Sequence, residues 1–147
     1  MNAPVRVLKA IVLSAAVVAL AACGDGGDDG DSGKTHSFAG KYNLSMSKTT
    51  DTCGITQSAL VGQQTVEQNG EEITVREDGL NMVGKVSAEG NGFDALGQMV
   101  ESGVLIDTTM RYVTTDTKGK YSTMLKLVAN YKGVSCEVIY QGTATRL

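Results

Sequence analysis

The sequence predicts an all-β domain over residues 38–147, arranged as an eight-stranded antiparallel up-and-down barrel behind a signal peptide and a flexible tether. Three observations carry this. Apolar and polar residues alternate with a period of two through most of the chain after residue 38, the pattern of half-buried strands. Glycine-containing turn signals recur between the alternating stretches. No stretch beyond residue 38 keeps a convincing 3.6-residue period. The length of 147 residues is about one domain, and 41% hydrophobic with 20% charged residues suits a globular chain.

Residues 1–22 read as an address. Arg6 and Lys9 precede the uncharged run Ala10–Leu20, a basic region followed by an apolar one, as in secretory signals. The run is shorter than the about 20 apolar residues that a spanning helix needs. Leu20-Ala21-Ala22-Cys23 follows at once. This resembles the lipobox of bacterial lipoproteins, in which a leucine, two small residues and a cysteine are read by the lipoprotein signal peptidase. The resemblance implies a diacylglyceryl thioether on Cys23, cleavage before it and an acylated amino terminus. Several acyl chains together anchor a protein to a membrane stably, where one does not. A plain signal peptide with a chance cysteine, or an N-terminal anchor, is the alternative. Gly24 stands where an aspartate would retain an enterobacterial lipoprotein at the inner membrane. The resemblance therefore favours the periplasmic side of the outer membrane over the inner membrane.

Residues 23–37 read as the lipidated cysteine and a Gly/Asp-rich tether. Gly24 to Ser37 contains no apolar residue, and such chain is flexible and extended by its like charges. Asp25, Asp28, Asp29 and Asp31 do not match the ligand spacing of a calcium loop. His36 reads as a solvated residue at the tether's end. Without residues 1–22 the chain carries 11 Lys and Arg against 16 Asp and Glu. That balance excludes a nucleic-acid partner, which needs a basic surface.

The strands follow in order at about 39–48, 61–69, 71–78, 79–89, 92–99, 102–116, 119–131 and 133–146. Tyr42, Leu44 and Met46 share a face, as do Val104, Ile106, Thr108, Met110 and Tyr112. Tyr121, Thr123, Leu125, Leu127, Ala129 and Tyr131 form another apolar face, and Val134, Cys136, Val138 and Tyr140 close the series. Asn69-Gly70, Asp78-Gly79, Glu89-Gly-Asn-Gly92, Asp116-Thr-Lys-Gly119 and Lys132-Gly133 supply the turns. Leu96 to Val104 is ambiguous and is compatible with a short helix or a turn. Consecutive hairpins make a meander, and a closed meander has no exposed edge to aggregate. The barrel is therefore favoured over an open sandwich.

Gly40-Lys41-Tyr42 resembles the Gly-x-Trp signature of lipocalin-like barrels, with tyrosine in place of tryptophan. The resemblance implies that Tyr42 plugs one barrel end and that Arg146, near the chain's end, stacks on it.

If Cys23 is lipidated, Cys53 and Cys136 remain, and two leftover cysteines in an oxidising compartment most often pair. The 83-residue separation gives about 4.5 kcal/mol on the loop-entropy model, as an upper figure. The pair would clip the loop after the first strand to the last strand, which are neighbours in a closed barrel. No Cys-x-x-Cys suggests redox chemistry.

Enzymatic chemistry has no positive support, and no cofactor or metal is implied. One histidine precludes sites that need several. Ser45-Met-Ser-Lys48 matches a Ser-x-x-Lys pattern, but residues three apart on a strand face opposite ways. Two functions stand. The first is a membrane-anchored envelope lipoprotein that holds a small apolar ligand or lipid. Its site would be lined by Tyr42, Met46, Met82 and Phe93 on one side and by Met110, Tyr112, Leu127 and Tyr140 on the other. Gly84, Ala88, Gly97, Ala129 and Ala144 would leave it room, and a fully packed core is the alternative. The second function is a protein-interaction module, either an envelope assembly factor or an inhibitor of an attacking enzyme. Small barrel lipoproteins that inhibit lysozyme resemble this chain in size and address, although their inserted loop motif is absent. A connected apolar pocket would favour the first function and a filled interior the second.

Overall fold

A computed structural model describes residues 36–77 and 79–147. The expected signal segment 1–22, Cys23 with its lipobox-like run, and residues 24–35 of the expected tether lie outside the described residues. Eight strands follow in chain order: β1 Gly40–Asp51, β2 Ala59–Asn69, β3 Glu72–Glu77, β4 Leu80–Val86, β5 Gly92–Glu101, β6 Val104–Thr114, β7 Lys120–Tyr131 and β8 Val134–Arg146. Each pairs antiparallel with its chain neighbour, and β8 returns to β1, so the sheet is a closed barrel. The expected strand count, up-and-down order and closure are all present.

The region 96–104 is neither helix nor irregular loop. β5 continues to Glu101, and Ser102-Gly103 turns the chain directly into β6. Both residues have positive φ, as do Lys132 and Gly133, which fits two-residue hairpins of the primed type. At the first hairpin the turn lies one residue later than Asn69-Gly70. Asn69 pairs with Glu72, Gly70 and Glu71 are central, and Gly70 has φ 62°.

Alternation sorts the side chains. Tyr42, Leu44, Met46, Met82, Phe93, Ile106, Met110, Tyr112, Leu125, Val138 and Tyr140 are buried inside the barrel as expected, and Leu127 is half-buried against the core. Tyr131 and Val134, expected on the same apolar faces, are instead exposed, because they flank the Lys132-Gly133 turn at the end of the β7–β8 hairpin. The small residues do not open space. Ala88 is exposed in the turn after β4. A Cβ on Gly97 would lie 2.8 Å from Met82 Cγ, so the methionine already occupies that volume. Gly84 serves backbone approach instead. A Cβ there would meet the Asp94 carbonyl oxygen at 1.8 Å, and one on Gly142 would meet that of Ser45 at 2.0 Å. Strands β4–β5 and β8–β1 press together at these points, and only glycine lets them.

Candidate functional site

One end of the barrel is closed by aromatic rings. The segment before β1 crosses it, and Phe38 is wholly buried there. Its amide donates to Gln68 Oε1 at 2.7 Å, and its carbonyl accepts from the Tyr42 hydroxyl at 2.5 Å. Phe38 meets Phe93 edge-on at 5.2 Å, and Phe93 stacks on Tyr112 at 4.8 Å. The Tyr112 hydroxyl donates to Gln64 Oε1 at 2.8 Å, and the Gln64 amide donates in turn to Glu77. Burial pushes the Tyr42 and Tyr112 hydroxyls far above the ordinary tyrosine range. Arg146 lies over the Tyr42 ring at 5.8 Å, and its guanidinium donates to the carbonyls of Ser37 and Ala39. The pair implied by the lipocalin resemblance is formed. His36 is exposed but not simply solvated, which corrects the sequence reading. Its ring sits 4.8 Å from Phe38 and bonds the Tyr121 hydroxyl at 3.0 Å.

The opposite mouth is strapped by residues 52–58. Cys53 and Cys136 form a disulfide with their Cα atoms 5.0 Å apart, as expected for elements that barrel closure makes neighbours. Asp51 accepts from the Cys53 and Gly54 amides and from Lys48 Nζ, while Lys48 also donates to the Ile55 carbonyl. Partial burial would raise the Asp51 carboxyl, but the Lys48 ammonium and the two amides outweigh it and hold it below the usual range. The Tyr140 hydroxyl donates to the Gln57 carbonyl at 3.1 Å, and burial raises its pKa. Ser45 is exposed on the outer wall while Lys48 points into this mouth, so the Ser-x-x-Lys pair does not come together.

The eight side chains expected to line a ligand site all belong to the interior. Tyr42, Phe93 and Tyr112 build the plugged end, Met82 and Met110 lie wholly buried, and Met46, Leu127 and Tyr140 join the core toward the mouth. They are in contact as one apolar cluster. A smaller cluster of Val104, Ile106 and Ala129 adjoins Leu127 and Cys136. Among the described residues Thr108 Oγ1 is the one buried side-chain polar atom without a hydrogen-bond partner.

Sequence reasoning missed a groove on the outer wall. It holds about 570 Å³ and is lined by residues of β4, β5 and β6, among them Val83, Leu96, Gln98 and Asp107. The β4–β5 ladder runs only from Val83–Leu96 to Val86–Phe93, whereas β5 and β6 pair along ten rungs. The groove opens where the shorter ladder stops. Its sequence signal was Val83, Leu96 and Val100 on the outward positions of their strands, apolar where the alternation calls for polar residues. No family model, curated protein or solved structure matches this chain significantly.

Proposed function

We propose that this protein is a lipid-anchored bacterial envelope lipoprotein, on the periplasmic side of the outer membrane, whose barrel is a protein-interaction module. The observation that carries the reading is the filled interior. Tyr42, Tyr112, Tyr140, Phe38, Met82 and Met110 are nearly or wholly inaccessible and pack on one another where a carrier would hold its cargo. An eight-stranded barrel is just wide enough for side chains to fill or for one small ligand. With the interior occupied, recognition falls to the outer wall and loops, and the groove over β4–β6 offers exposed apolar side chains there. The anchor rests on the Leu20-Ala21-Ala22-Cys23 resemblance, and the acidic balance argues against nucleic acid.

The test is native mass spectrometry of the protein taken from its own membrane. A partner polypeptide with no small-molecule adduct supports the module. A stoichiometric lipid inside the barrel overturns it in favour of the carrier.

One observation favours that second reading. The unpartnered Thr108 hydroxyl is buried on β6 two residues before Met110, and methionine accommodates varied apolar shapes. A small apolar ligand with one polar atom would satisfy it. Thermal shifts with fatty acids and apolar dyes, abolished by Met110→Trp, would establish it.

A further inference from the structure

Along β5 and β6 the groove is built in rows. Val83, Leu96 and Thr109 are register partners across three strands. Gln98 and Asp107 form the next row, and beyond the groove's own lining Val100 and Leu105 continue the same face as a third row. The side chains of the two outer rows are open to solvent, Leu96 at 62% and Val100 at 71%. An apolar row, a polar row and a second apolar row therefore lie at two-residue intervals, about 6.6 Å apart along the strand.

The middle row carries an unbalanced charge. The mid-strand carboxylates Glu67, Asp94 and Glu137 each hold a cation: Arg76, Arg111 and Lys126. Asp107 has no salt-bridge partner among the described residues. Its Oδ1 accepts from Gln98 Nε2 at 2.5 Å and its Oδ2 from Asn130 Nδ2 at 3.2 Å. Two neutral amides fix the carboxylate and leave its charge uncompensated. A fixed anion between apolar flanks is complementary to a cation between apolar flanks.

We propose that this groove docks an extended segment of a partner polypeptide. The segment carries one lysine or arginine with an apolar side chain two residues away on each side. In extended chain alternate side chains repeat at the same 6.6 Å interval as the rows, so all three contacts are made without bending the segment. The cation meets Asp107, one apolar residue meets Val83 and Leu96, and the other meets Val100 and Leu105. This deepens the interaction-module reading and rests on it.

The experiment titrates the full chain, held in lipid nanodiscs, into two fluorescein-labelled peptides, Leu-Thr-Arg-Thr-Leu and Leu-Thr-Gln-Thr-Leu. The arginine peptide is expected to bind at least about tenfold tighter, and the difference should shrink as salt is raised. Asp107→Asn is expected to bring the arginine peptide to the glutamine level, and Leu96→Ser to weaken both. Ser45→Thr, on a distant wall, should leave both unchanged. All three positions are on the outer wall, and a melting curve for each variant separates lost binding from lost folding. Should Asp107→Asn melt early, Asp107→Glu, which keeps the charge, must restore the preference. Equal binding of the two peptides, indifference to Asp107→Asn, or no binding at all overturns the proposal. A partner photo-crosslinked from Ser45 or Gln63 but not from Leu96 would overturn this site and leave the module standing. A lipid-filled barrel would overturn the module itself.

Discussion

Tyr42 carries the plugged end through three contacts at once: a hydroxyl bond to Phe38, an edge-on ring against Tyr112 at 5.4 Å and the Arg146 guanidinium. Because its pKa and that of Tyr112 are raised in the fold, the native state keeps protons that the unfolded chain releases above about pH 10. Stability from these groups is full below that value and declines as pH climbs past it. Unfolding followed by denaturant at rising pH should therefore show a steep alkaline limb, and Tyr42→Phe should flatten it. A limb of unchanged slope in that variant counts against the assignment. Tyr42→Phe should also cost about 1–2 kcal/mol at neutral pH, by leaving the Phe38 carbonyl without its donor. Gly142→Ala is the sharper lesion. Its Cβ meets strand backbone at 2.0 Å, which no rotamer relieves, and about 3 kcal/mol or outright failure to fold is expected. If it melts like the wild-type chain, the close approach of β8 to β1 is not as described. The sequence marked Gly84 and Gly97 as small but not what fills the space beside them. That depends on which strand crosses at that height, a tertiary fact without a local signal.

At the scale of elements, the strap over residues 52–58 is clipped to β8 by one covalent bond and tied by polar contacts. Replacing Cys53 and Cys136 together with alanine should cost about 2–5 kcal/mol, or roughly 10–20 °C in Tm, with the β signal retained. An unchanged Tm would show that the fold does not need the clip. Asp51 adds a pH term of the opposite sense. Its carboxyl is lowered in the fold, so its contribution is present above about pH 4 and disappears as pH falls through its folded value. Hydrogen exchange at Cys53 and Gly54, whose amides it accepts, should accelerate on acidification relative to β-strand amides once intrinsic rates are divided out. The eight strands themselves were legible because each keeps its period of two with turn residues at both ends. The ambiguity at 96–104 arose because Leu96, Val100 and Leu105 are apolar on the outward face, which blurs the alternation. The Ser102-Gly103 pair was the punctuation that resolved it. The groove was not legible, since it depends on where the β4–β5 ladder stops.

For the whole molecule, the barrel brings its two described ends together. Leu147 donates its amide to the Lys41 carbonyl at 2.9 Å, and His36 enters at the same plugged end. The mouth and its strap lie opposite. Cys23→Ser should release the protein from the membrane fraction and leave a larger precursor, and a variant that fractionates and migrates like wild type would refute the anchor. For a chain held by its amino terminus, every pull from a partner gripping β5 and β6 enters the domain at His36. It loads β1 from its first residue, in the direction that peels a strand off rung by rung rather than shearing all rungs together. Peeling would free β1 from β2 and β8 in turn, until it reaches Cys53. There the disulfide joins β1's end to β8, and unravelling stops after roughly 60 Å of chain, at about 3.4 Å per residue. The bond at the far mouth thus acts as a mechanical stop. Under tension the domain would lengthen by one strand and hold, and with the bond reduced it would run out to its full contour.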